Sequence, residues 1–252
     1  MVDFSLKDKV ALITGASRGI GESIAMTLAQ YGAHCVLASR KIDALKGVEE
    51  KVKASGGKAD SIACNMGNIK QIEAMMEEIG KRYGKLNILV SNAATNPYFG
   101  SLVNADEGAW DKTHDVNLKG PFFLIQKAVP LLEASGGGAI VNVASINGIT
   151  PGANQGVYSI TKAGLILLTK AYAKELAPKG IRVNALLPGL TRTKFAGALF
   201  EDESIYSYAI QNIPLGRAAQ PEEMAGAVLY LVSDASSFTT GTCLICDGGR
   251  LI

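Results

Sequence analysis

Short apolar runs with strand character alternate with helical patterns along this 252-residue sequence, and no other feature restricts its fold as much. The strand-like runs are Lys9–Thr14, Cys35–Ser39, Lys58–Cys64, Asn87–Ser91, Ala139–Ser145, Ile181–Leu187 and Gly241–Cys246. The helical patterns are Gly19–Tyr31, Ile42–Ser55, Ile69–Tyr83, Glu107–Glu133, Gln155–Ala177 and Pro221–Ser233. The strand-like runs are continuously apolar, as expected for strands that are covered on both faces. The sequence therefore predicts an α/β fold with a doubly wound parallel sheet of about seven strands and helices on both faces.

The length and composition fit a single domain over residues 1–252. One α/β domain often reaches this size, and 48% hydrophobic residues with 28 glycines suit a buried sheet with tight turns. The stretch at about 189–220 is longer than the other connections, and such connections are usually functional. We predict that it is a lid over the substrate, and its apolar residues are Phe195, Leu199, Phe200, Ile205, Tyr206 and Tyr208.

Charge and hydropathy favour a small-molecule partner. The net charge is +2 with both signs interspersed, which indicates no particular charged macromolecule, and we expect no nucleic acid. No segment approaches the ~20 uninterrupted apolar residues of a membrane span, so no membrane partner is expected. Residues 1–8 lack the basic and apolar regions of a secretory signal, which predicts a cytoplasmic location.

The cysteines and histidines do not predict a metal site. Cys243 and Cys246 form a C-x-x-C pair, which a redox or metal site could use. They lie on a predicted strand, where residues three apart point to opposite faces, so we expect the cysteines to be free. His34 and His114 have no cysteine or carboxylate at ligand spacing and are predicted to be structural.

Tyr158 and Lys162 are the most informative candidates for catalysis. They lie one turn apart on a predicted helix and therefore share a face. A phenol titrates near ~10. An ammonium about 4 Å away favours the phenolate by roughly 4 kcal/mol at an effective dielectric of ~20, which predicts a lowered pKa for Tyr158. Ser145 ends a predicted strand and could polarise a substrate oxygen beside the phenol.

A glycine-rich turn joins the first predicted strand to the first predicted helix. Gly15, Gly19 and Gly21 would let backbone amides approach a pyrophosphate at the positive end of the helix dipole. The spacing differs from G-x-G-x-x-G, so a plain tight turn is the alternative for this segment taken alone. Asn92 and Ala93 follow the fourth predicted strand and would line the central section of the cofactor.

The residues after the second predicted strand indicate which dinucleotide fits. An acid there would accept from a ribose 2′-hydroxyl and repel a 2′-phosphate. The sequence has Ser39, Arg40 and Lys41 instead, and Arg18 could approach from the other side, which favours NADP over NAD. A solvated strand end is the alternative interpretation. Asn65 could accept a hydrogen bond from the adenine amino group.

These motifs together resemble the short-chain dehydrogenase/reductase family, and the likeness runs from about Leu6 to the C-terminus. The resemblance implies a Rossmann-type fold, and it makes Asn117 a fourth catalytic residue that would hold a water connecting Lys162 to solvent. Ala94 and Asn65 depart from the family pattern, where glycine and aspartate are usual. The matching motifs are the glycine turn, Asn92-Ala93-Ala94, the Ser/Tyr/Lys trio, Pro188-Gly189 and Asp247-Gly248-Gly249.

The predicted site has three parts. The catalytic residues are Asn117, Ser145, Tyr158 and Lys162. The cofactor-binding residues are Gly15, Ser17, Arg18, Gly19, Ile20, Gly21, Ser39, Arg40, Asn65, Met66, Asn92, Ala93, Tyr158, Lys162, Pro188, Gly189 and Thr191. The substrate pocket is expected to be apolar and to include Tyr98, Ile146, Leu190 and Phe195.

The sequence therefore predicts an NADP-dependent oxidoreductase of the carbonyl reductase type that interconverts a ketone and a secondary alcohol. A 3-oxoacyl-thioester reductase that acts on an acyl carrier protein substrate is the near alternative, and a non-catalytic NADP-binding regulator is the distant one. Basic residues on the two long helices could meet an acidic carrier protein, but a solvated helix face is the favoured interpretation. The family resemblance implies a homotetramer that assembles through those helices and the last strand.

Overall fold

The computed structural model describes residues 2–197, 200 and 203–252. Seven strands form one parallel sheet in the order β3-β2-β1-β4-β5-β6-β7. This arrangement confirms the predicted fold class. The strands are β1 (Val10–Thr14), β2 (His34–Ser39), β3 (Lys58–Ala63), β4 (Ile88–Ser91), β5 (Gly138–Val143), β6 (Ile181–Pro188) and β7 (Cys243–Cys246).

Helices cover both faces of the sheet. One face packs against α1, α2 and α8, and the other against α3, α5 and α6. No helix in the described ranges is long and apolar enough to cross a bilayer. The helices are α1 (Gly19–Gln30), α2 (Ile42–Ala54), α3 (Ile69–Tyr83), α4 (Glu107–His114), α5 (Gly120–Ala134), α6 (Gly156–Leu176), α7 (Glu203–Gln211) and α8 (Pro221–Val232).

The strand order determines where a ligand can bind. β1 pairs with β2 on one side and with β4 on the other, so the connections that leave β1 and β4 run in opposite directions along the sheet. In open parallel sheets this reversal leaves a crevice outside the carboxyl ends of the strands. The turn after β1 and the segment after β4 meet at this crevice, which is where the sequence analysis places the glycine turn and Asn92.

The helical pattern Glu107–Glu133 is not one regular helix. α4 and α5 are joined by a π-helical turn over Asp115–Lys119. A Cβ atom at Gly120 would overlap the backbone carbonyl of Met66, so the wider turn brings α5 closer to the segment after β3 than a side chain would allow. Periodicity alone cannot show such an insertion, because the apolar spacing continues through it.

The predicted insertion at 189–220 contains more regular structure than a loop. A 3₁₀ turn over Lys194–Ala196 precedes α7. The guanidinium of Arg192 lies 5.1 Å from the ring centroid of Phe200 and 5.3 Å from that of Tyr206, and it donates to the Tyr206 hydroxyl at 2.7 Å. Leu199, which the sequence analysis includes in the lid, lies outside the described residues. Opening and closing of this segment stays a prediction.

Cysteines and histidines have structural roles in the described part of the chain. Cys243 packs with the cluster beside α6, whereas Cys246 packs with the cluster on the other face, and all four cysteines are free. The Nε2 atom of His34 lies 2.7 Å from Oδ2 of Asp60, a pairing that sequence spacing did not reveal. The Tyr83 hydroxyl donates to the same oxygen at 2.6 Å, and this group ties β2 and β3 to α3.

Candidate active site

One cavity of about 560 Å³ lies at the carboxyl ends of the strands and brings together almost every predicted site residue. All of the predicted cofactor-binding residues line it, and so do Ser145, Tyr158 and Lys162. Three of the four predicted substrate residues also line it, namely Ile146, Leu190 and Phe195. Tyr98 and Asn117 are not among the lining residues, and both are described below.

The glycine turn brings backbone close to the cavity. Gly15 has φ +66°, and a Cβ atom there would lie 2.8 Å from Nδ2 of Asn92. A Cβ atom at Gly21 would lie 2.6 Å from the same nitrogen and would overlap the Gly15 carbonyl oxygen. α1 begins at Gly19 without a side-chain cap, which leaves first-turn N–H groups available to a ligand. This cradle fits a pyrophosphate, which the helix N-terminus also favours electrostatically.

Thr14 and Asn92 join the ends of β1 and β4 beside this turn. The Thr14 hydroxyl oxygen accepts from the N–H groups of Asn92 at 3.0 Å and of Ala93 at 3.1 Å. The Asn92 side chain in turn donates to the carbonyl of Thr14 at 2.9 Å. These bonds hold the Asn92 segment in place along the middle of the cavity.

The end of the cavity beside β2 is basic. Arg18, Arg40 and Lys41 line it and are exposed, and Ser39 donates to the Lys41 carbonyl at 3.4 Å. Among the described residues that line the whole cavity, seven are Lys or Arg and none is Asp or Glu. A group with negative charge therefore fits this end, and the planar guanidinium of Arg40 suits a phosphate.

A second group of residues lines the cavity beside β3. Asn65 and Met66 line the cavity there, together with Val116 from the π-helical turn. The Asn65 side-chain oxygen accepts from the N–H of Gly67 at 3.1 Å. The backbone N–H of Asn65 donates to the side-chain oxygen of Gln71 at 2.8 Å. Asn65 is thus held rigidly, with one lone pair of its amide oxygen already used within the chain.

Tyr158 and Lys162 lie on α6 with their side chains almost completely buried at the base of the cavity. The Nζ atom of Lys162 lies 5.5 Å from the Tyr158 ring centroid and donates to the Val143 carbonyl at 2.8 Å. One helical turn separates the two residues, so α6 presents both to the same side, as the spacing predicts. β5, which carries Val143, fixes the ammonium end of Lys162 from below.

Burial shifts the pKa values of both side chains. Removal from water disfavours the charged form, which lowers the pKa of Lys162 to about 7. The same effect raises the pKa of Tyr158 to about 12, while hydrogen bonding with the Ser145 hydroxyl lowers it. The expectation that the phenol pKa would be lowered was therefore wrong for this structure, because burial raises it. Tyr158 is protonated at neutral pH, and Lys162 exchanges a proton near neutrality.

Ser145 follows β5 and faces Tyr158. Its backbone is extended, and its hydroxyl oxygen accepts from the N–H of Asn147 at 3.1 Å, which caps a short 3₁₀ turn. The Ser145 hydroxyl lines the same cavity as the phenol, and its hydrogen bonding lowers the pKa of Tyr158. Two hydroxyl groups therefore converge on one point of the cavity, where they could both donate to a single oxygen atom.

Asn117 is buried behind the cavity wall. Its side-chain oxygen accepts from the N–H of Thr95 at 2.8 Å, and its amide nitrogen donates to the Thr95 carbonyl at 2.9 Å and to the Thr161 hydroxyl at 3.2 Å. It connects a cavity-lining segment to the residue that precedes Lys162. The side chain therefore positions both walls, and its participation in a proton relay stays a prediction.

The side of the cavity beside β6 and β7 combines apolar and polar groups. The Phe195 ring lies 5.9 Å from the Tyr158 ring, and 52% of Phe195 is exposed. Tyr98 lies outside, where its hydroxyl donates to the Ser101 carbonyl at 2.7 Å. The sequence analysis missed several lining residues on this side, which are Asn147, Gln155, Thr193, Lys194, Ala209, Ile213 and Arg250.

Comparisons with known proteins agree with this geometry. A family model described as enoyl-(acyl carrier protein) reductase matches residues 15–250. The chain is 40% identical to dehydrogenase/reductase SDR family member 4 of Oryctolagus cuniculus over 97% of this chain and 94% of that protein. It is 39% identical to the 3-oxoacyl-[acyl-carrier-protein] reductase FabG of Thermotoga maritima over 98% of this chain and 99% of that protein.

A solved structure from Beutenbergia cavernae, provisionally assigned as an NAD(P) dependent gluconate 5-dehydrogenase with bound NADP at low occupancy, matches with a TM-score of 0.94. It is 33% identical and covers 98% of each chain. The sheet, the glycine turn and the buried Tyr158–Lys162 pair are those of an oxidoreductase. The chain belongs to the short-chain dehydrogenase/reductase family.

Proposed function

We propose that this protein is an NADP-dependent oxidoreductase that interconverts a ketone and a secondary alcohol. One observation carries the proposal: a single cavity joins the basic end at Arg40 to the buried Tyr158, Lys162 and Ser145. The first part suits a phosphorylated dinucleotide and the second suits proton transfer to a carbonyl oxygen. The Beutenbergia cavernae relative with bound NADP supports the nicotinamide cofactor as a class.

Residues at the basic end support NADP over NAD. Neither Arg18 nor Arg40 forms an ion pair within the described ranges, so both guanidinium groups are available to a ligand. The short Ser39 side chain leaves room in front of them, where a carboxylate would accept from a free ribose hydroxyl. A 2′-phosphate at this position would receive charge-assisted hydrogen bonds from Arg40.

The mechanism follows from the protonation states of the buried residues. A bound nicotinamide supplies the hydride for the carbonyl carbon. Tyr158, which is protonated at neutral pH, donates its phenolic proton to the carbonyl oxygen as negative charge develops there. Ser145 donates a hydrogen bond to the same oxygen and stabilises that charge. Lys162, whose pKa is lowered to about 7, would restore the phenol proton and would hold the ribose of a bound nicotinamide.

A 3-oxoacyl-thioester reductase is the second candidate, and the name of the Thermotoga maritima relative supports it. The chemistry would be the same on a substrate that a carrier protein delivers. Two of the lysines that could meet such a carrier are already paired, because Lys119 binds Asp115 at 3.1 Å and Lys127 binds Glu73 at 2.9 Å. These ion pairs favour the ketone reductase over the thioester reductase. All four predicted catalytic positions carry residues that suit catalysis, so a non-catalytic regulator is the least favoured alternative.

Assembly into a homotetramer is part of the proposal. A shallow apolar depression lies on the outer face of α5 and α6 and includes Phe122 and Leu167, which are 39% and 68% exposed. A second subunit would remove these side chains from water. Sedimentation analysis across a range of concentrations would test this part, since a monomer at all of them would contradict it.

The function itself is tested by a substrate panel. NADPH oxidation would be followed with a simple ketone, a diketone and a 3-oxoacyl thioester under one set of conditions. Reduction of the ketone or the diketone supports the proposal, and reduction of the thioester alone supports the second candidate. The absence of turnover with every carbonyl compound, in protein that binds NADPH, would contradict both and favour a regulator.

A further inference from the structure

Arg250 is a cavity residue that neither the motifs nor the mechanism uses. It follows β7, its side chain is exposed, and it lines the cavity together with Ala209 and Ile213. The turn that carries it is held firmly. The Asp247 carboxylate accepts from the N–H of Gly249 at 2.8 Å and from that of Leu251 at 2.9 Å. Its position at the cavity is thus a property of the fold.

The same turn packs directly against the proposed site. A Cβ atom at Gly189 would lie 2.7 Å from Cα of Asp247, so the segment after β6 and the turn after β7 are in backbone contact. On its other side the turn meets the end of the insertion, where the N–H of Leu215 donates to the Gly248 carbonyl at 3.1 Å. Arg250 therefore belongs to the wall that the insertion and the last strand form together.

Arg250 has no acidic partner in the part of the chain that the structure describes. It is absent from the ion pairs there, and the oxygens of Asp247 are occupied by backbone N–H groups. No described residue of the cavity wall is Asp or Glu. A guanidinium in a cavity without carboxylates is suited to an anionic ligand, with which it forms two parallel hydrogen bonds.

Arg250 cannot serve the same anion as Arg40. Arg40 follows β2 and Arg250 follows β7, and five strand spacings of ~4.8 Å separate those strands, about 24 Å across the sheet. Ser145 follows β5, which is only two spacings from β7, or about 10 Å. Arg250 is therefore nearer to the catalytic end of the cavity than to the basic end at Arg40, which favours an anion that belongs to the substrate.

We propose that the substrate is an oxo acid, whose carboxylate binds Arg250 while its ketone oxygen lies between Ser145 and Tyr158. This inference rests on the proposed function, because it names the substrate class of the same site. The reaction leaves the carboxylate unchanged. The carbonyl carbon gains the hydride and the carbonyl oxygen gains the Tyr158 proton, which gives a hydroxy acid and oxidised cofactor.

Matched acids and esters test the inference. The probes are 4-oxopentanoate, 5-oxohexanoate and 6-oxoheptanoate, each compared with its methyl ester, which has the same ketone without the charge. Charge-assisted hydrogen bonds of this kind correspond to about 10–150-fold in kcat/KM. We expect the best acid to exceed its ester by that factor. In Arg250→Met the ratio of kcat/KM for the acid to kcat/KM for its ester should fall to about one, through a loss of activity on the acid. Arg250→Lys should recover part of that ratio.

Two controls separate the charge of Arg250 from other effects. Lys70→Met removes one positive charge from an exposed position of α3 that is outside the cavity wall, and it should leave the acid-to-ester ratio unchanged. The KM for NADPH should be the same in Arg250→Met and the wild type, because the cofactor phosphate lies at the other end. A ratio near one in the wild type, or an equal ratio in Arg250→Met, would overturn the inference.

Binding gives a readout that does not depend on turnover. Hexanoate, which has no ketone, would be titrated calorimetrically into the NADPH complex of the wild type and of Arg250→Met. Tighter binding to the wild type by about tenfold or more is the expected result. Equal binding, or none to either protein, overturns the inference even where a diketone is reduced and the proposed function stands. Absence of all carbonyl reduction together with hexanoate binding that needs Arg250 would instead contradict the proposed function alone.

Discussion

The Nζ atom of Lys162 lies 5.5 Å from the centre of the Tyr158 ring, and its hydrogen bond goes to the Val143 carbonyl. Both side chains are buried, which keeps the phenol protonated and makes the ammonium easy to deprotonate. The pair therefore holds its exchangeable proton on Tyr158 at neutral pH. This is the state that a proton donor in carbonyl reduction needs, and it follows from burial.

Lys162 should make the stability of the protein depend on pH. Its pKa is about 7 in the folded protein against an ordinary 10.5, so the unfolded chain binds more protons between these values. The free energy of unfolding should therefore rise with pH in that window, by at most about 1.4 kcal/mol per pH unit. Urea unfolding at pH 7 and pH 9 should show this rise in the wild type and lose it in Lys162→Met.

Lys170→Met is the matched control, because Lys170 is exposed on the same helix. It should keep the wild-type dependence on pH. If the difference in the free energy of unfolding between the wild type and Lys162→Met stays constant from pH 7 to pH 9, Lys162 keeps an ordinary pKa despite its burial.

Arg40 should make NADPH the better cofactor. Its charge-assisted bonds to a 2′-phosphate correspond to about 10–150-fold in kcat/KM over NADH. Replacing Ser39 with Asp and Arg40 with Leu should reverse the order, since the new carboxylate accepts from a ribose hydroxyl and repels the phosphate. Equal kcat/KM values for the two cofactors in the wild type would show that Arg40 points into solvent.

The glycine cradle should not tolerate a methyl group. In Gly21→Ala the new Cβ would overlap the Gly15 carbonyl oxygen, so the turn must move and NADPH affinity should fall at least ~10-fold. Gly47→Ala is the control, because a Cβ atom there meets nothing within 4 Å. Alanine favours a helix over glycine by up to ~1 kcal/mol, so this variant should melt slightly higher and bind NADPH normally. Equal NADPH affinity in both variants would remove the turn from the cofactor site.

The insertion is predicted to close when ligands bind. Its aromatic side chains include Phe195 and Tyr208, which are 52% and 69% exposed and would be covered by closure. Hydrogen exchange of α7 should slow when NADP and a substrate analogue are added together. Equal protection of α7 with and without the ligands would count against a lid.

Much of the fold could be predicted from local patterns. The strands follow from continuous apolar runs, and all seven begin and end within two residues of their predicted bounds. Tyr158 and Lys162 could be paired because one helical turn is a fixed local distance. The π-helical turn at Asp115–Lys119 could not be predicted from the sequence, because it depends on how closely Gly120 approaches Met66.

The rest of the site depends on long-range packing. Arg250 carries no local signal, because the sheet order decides which residue follows β7 beside the cavity. Tyr98 was expected in the substrate pocket, but it is not among the residues that line the cavity, and its hydroxyl bonds within its own loop. The direction of the Tyr158 pKa was missed for a related reason. Spacing indicates which charges are near, whereas burial is a property of the whole fold.

Replacement of Tyr158 by Phe tests the central claim most directly. This change removes the proton donor and keeps the ring against Phe195, so NADPH should bind with nearly unchanged affinity. Positioned acid catalysis contributes roughly 10²–10⁴-fold, and kcat for ketone reduction should fall by that factor. Single-turnover rates measured beside NADPH binding in the same preparation would separate the two effects. A variant that binds NADPH normally and keeps more than about a tenth of the wild-type rate would contradict the assignment of Tyr158 as the proton donor.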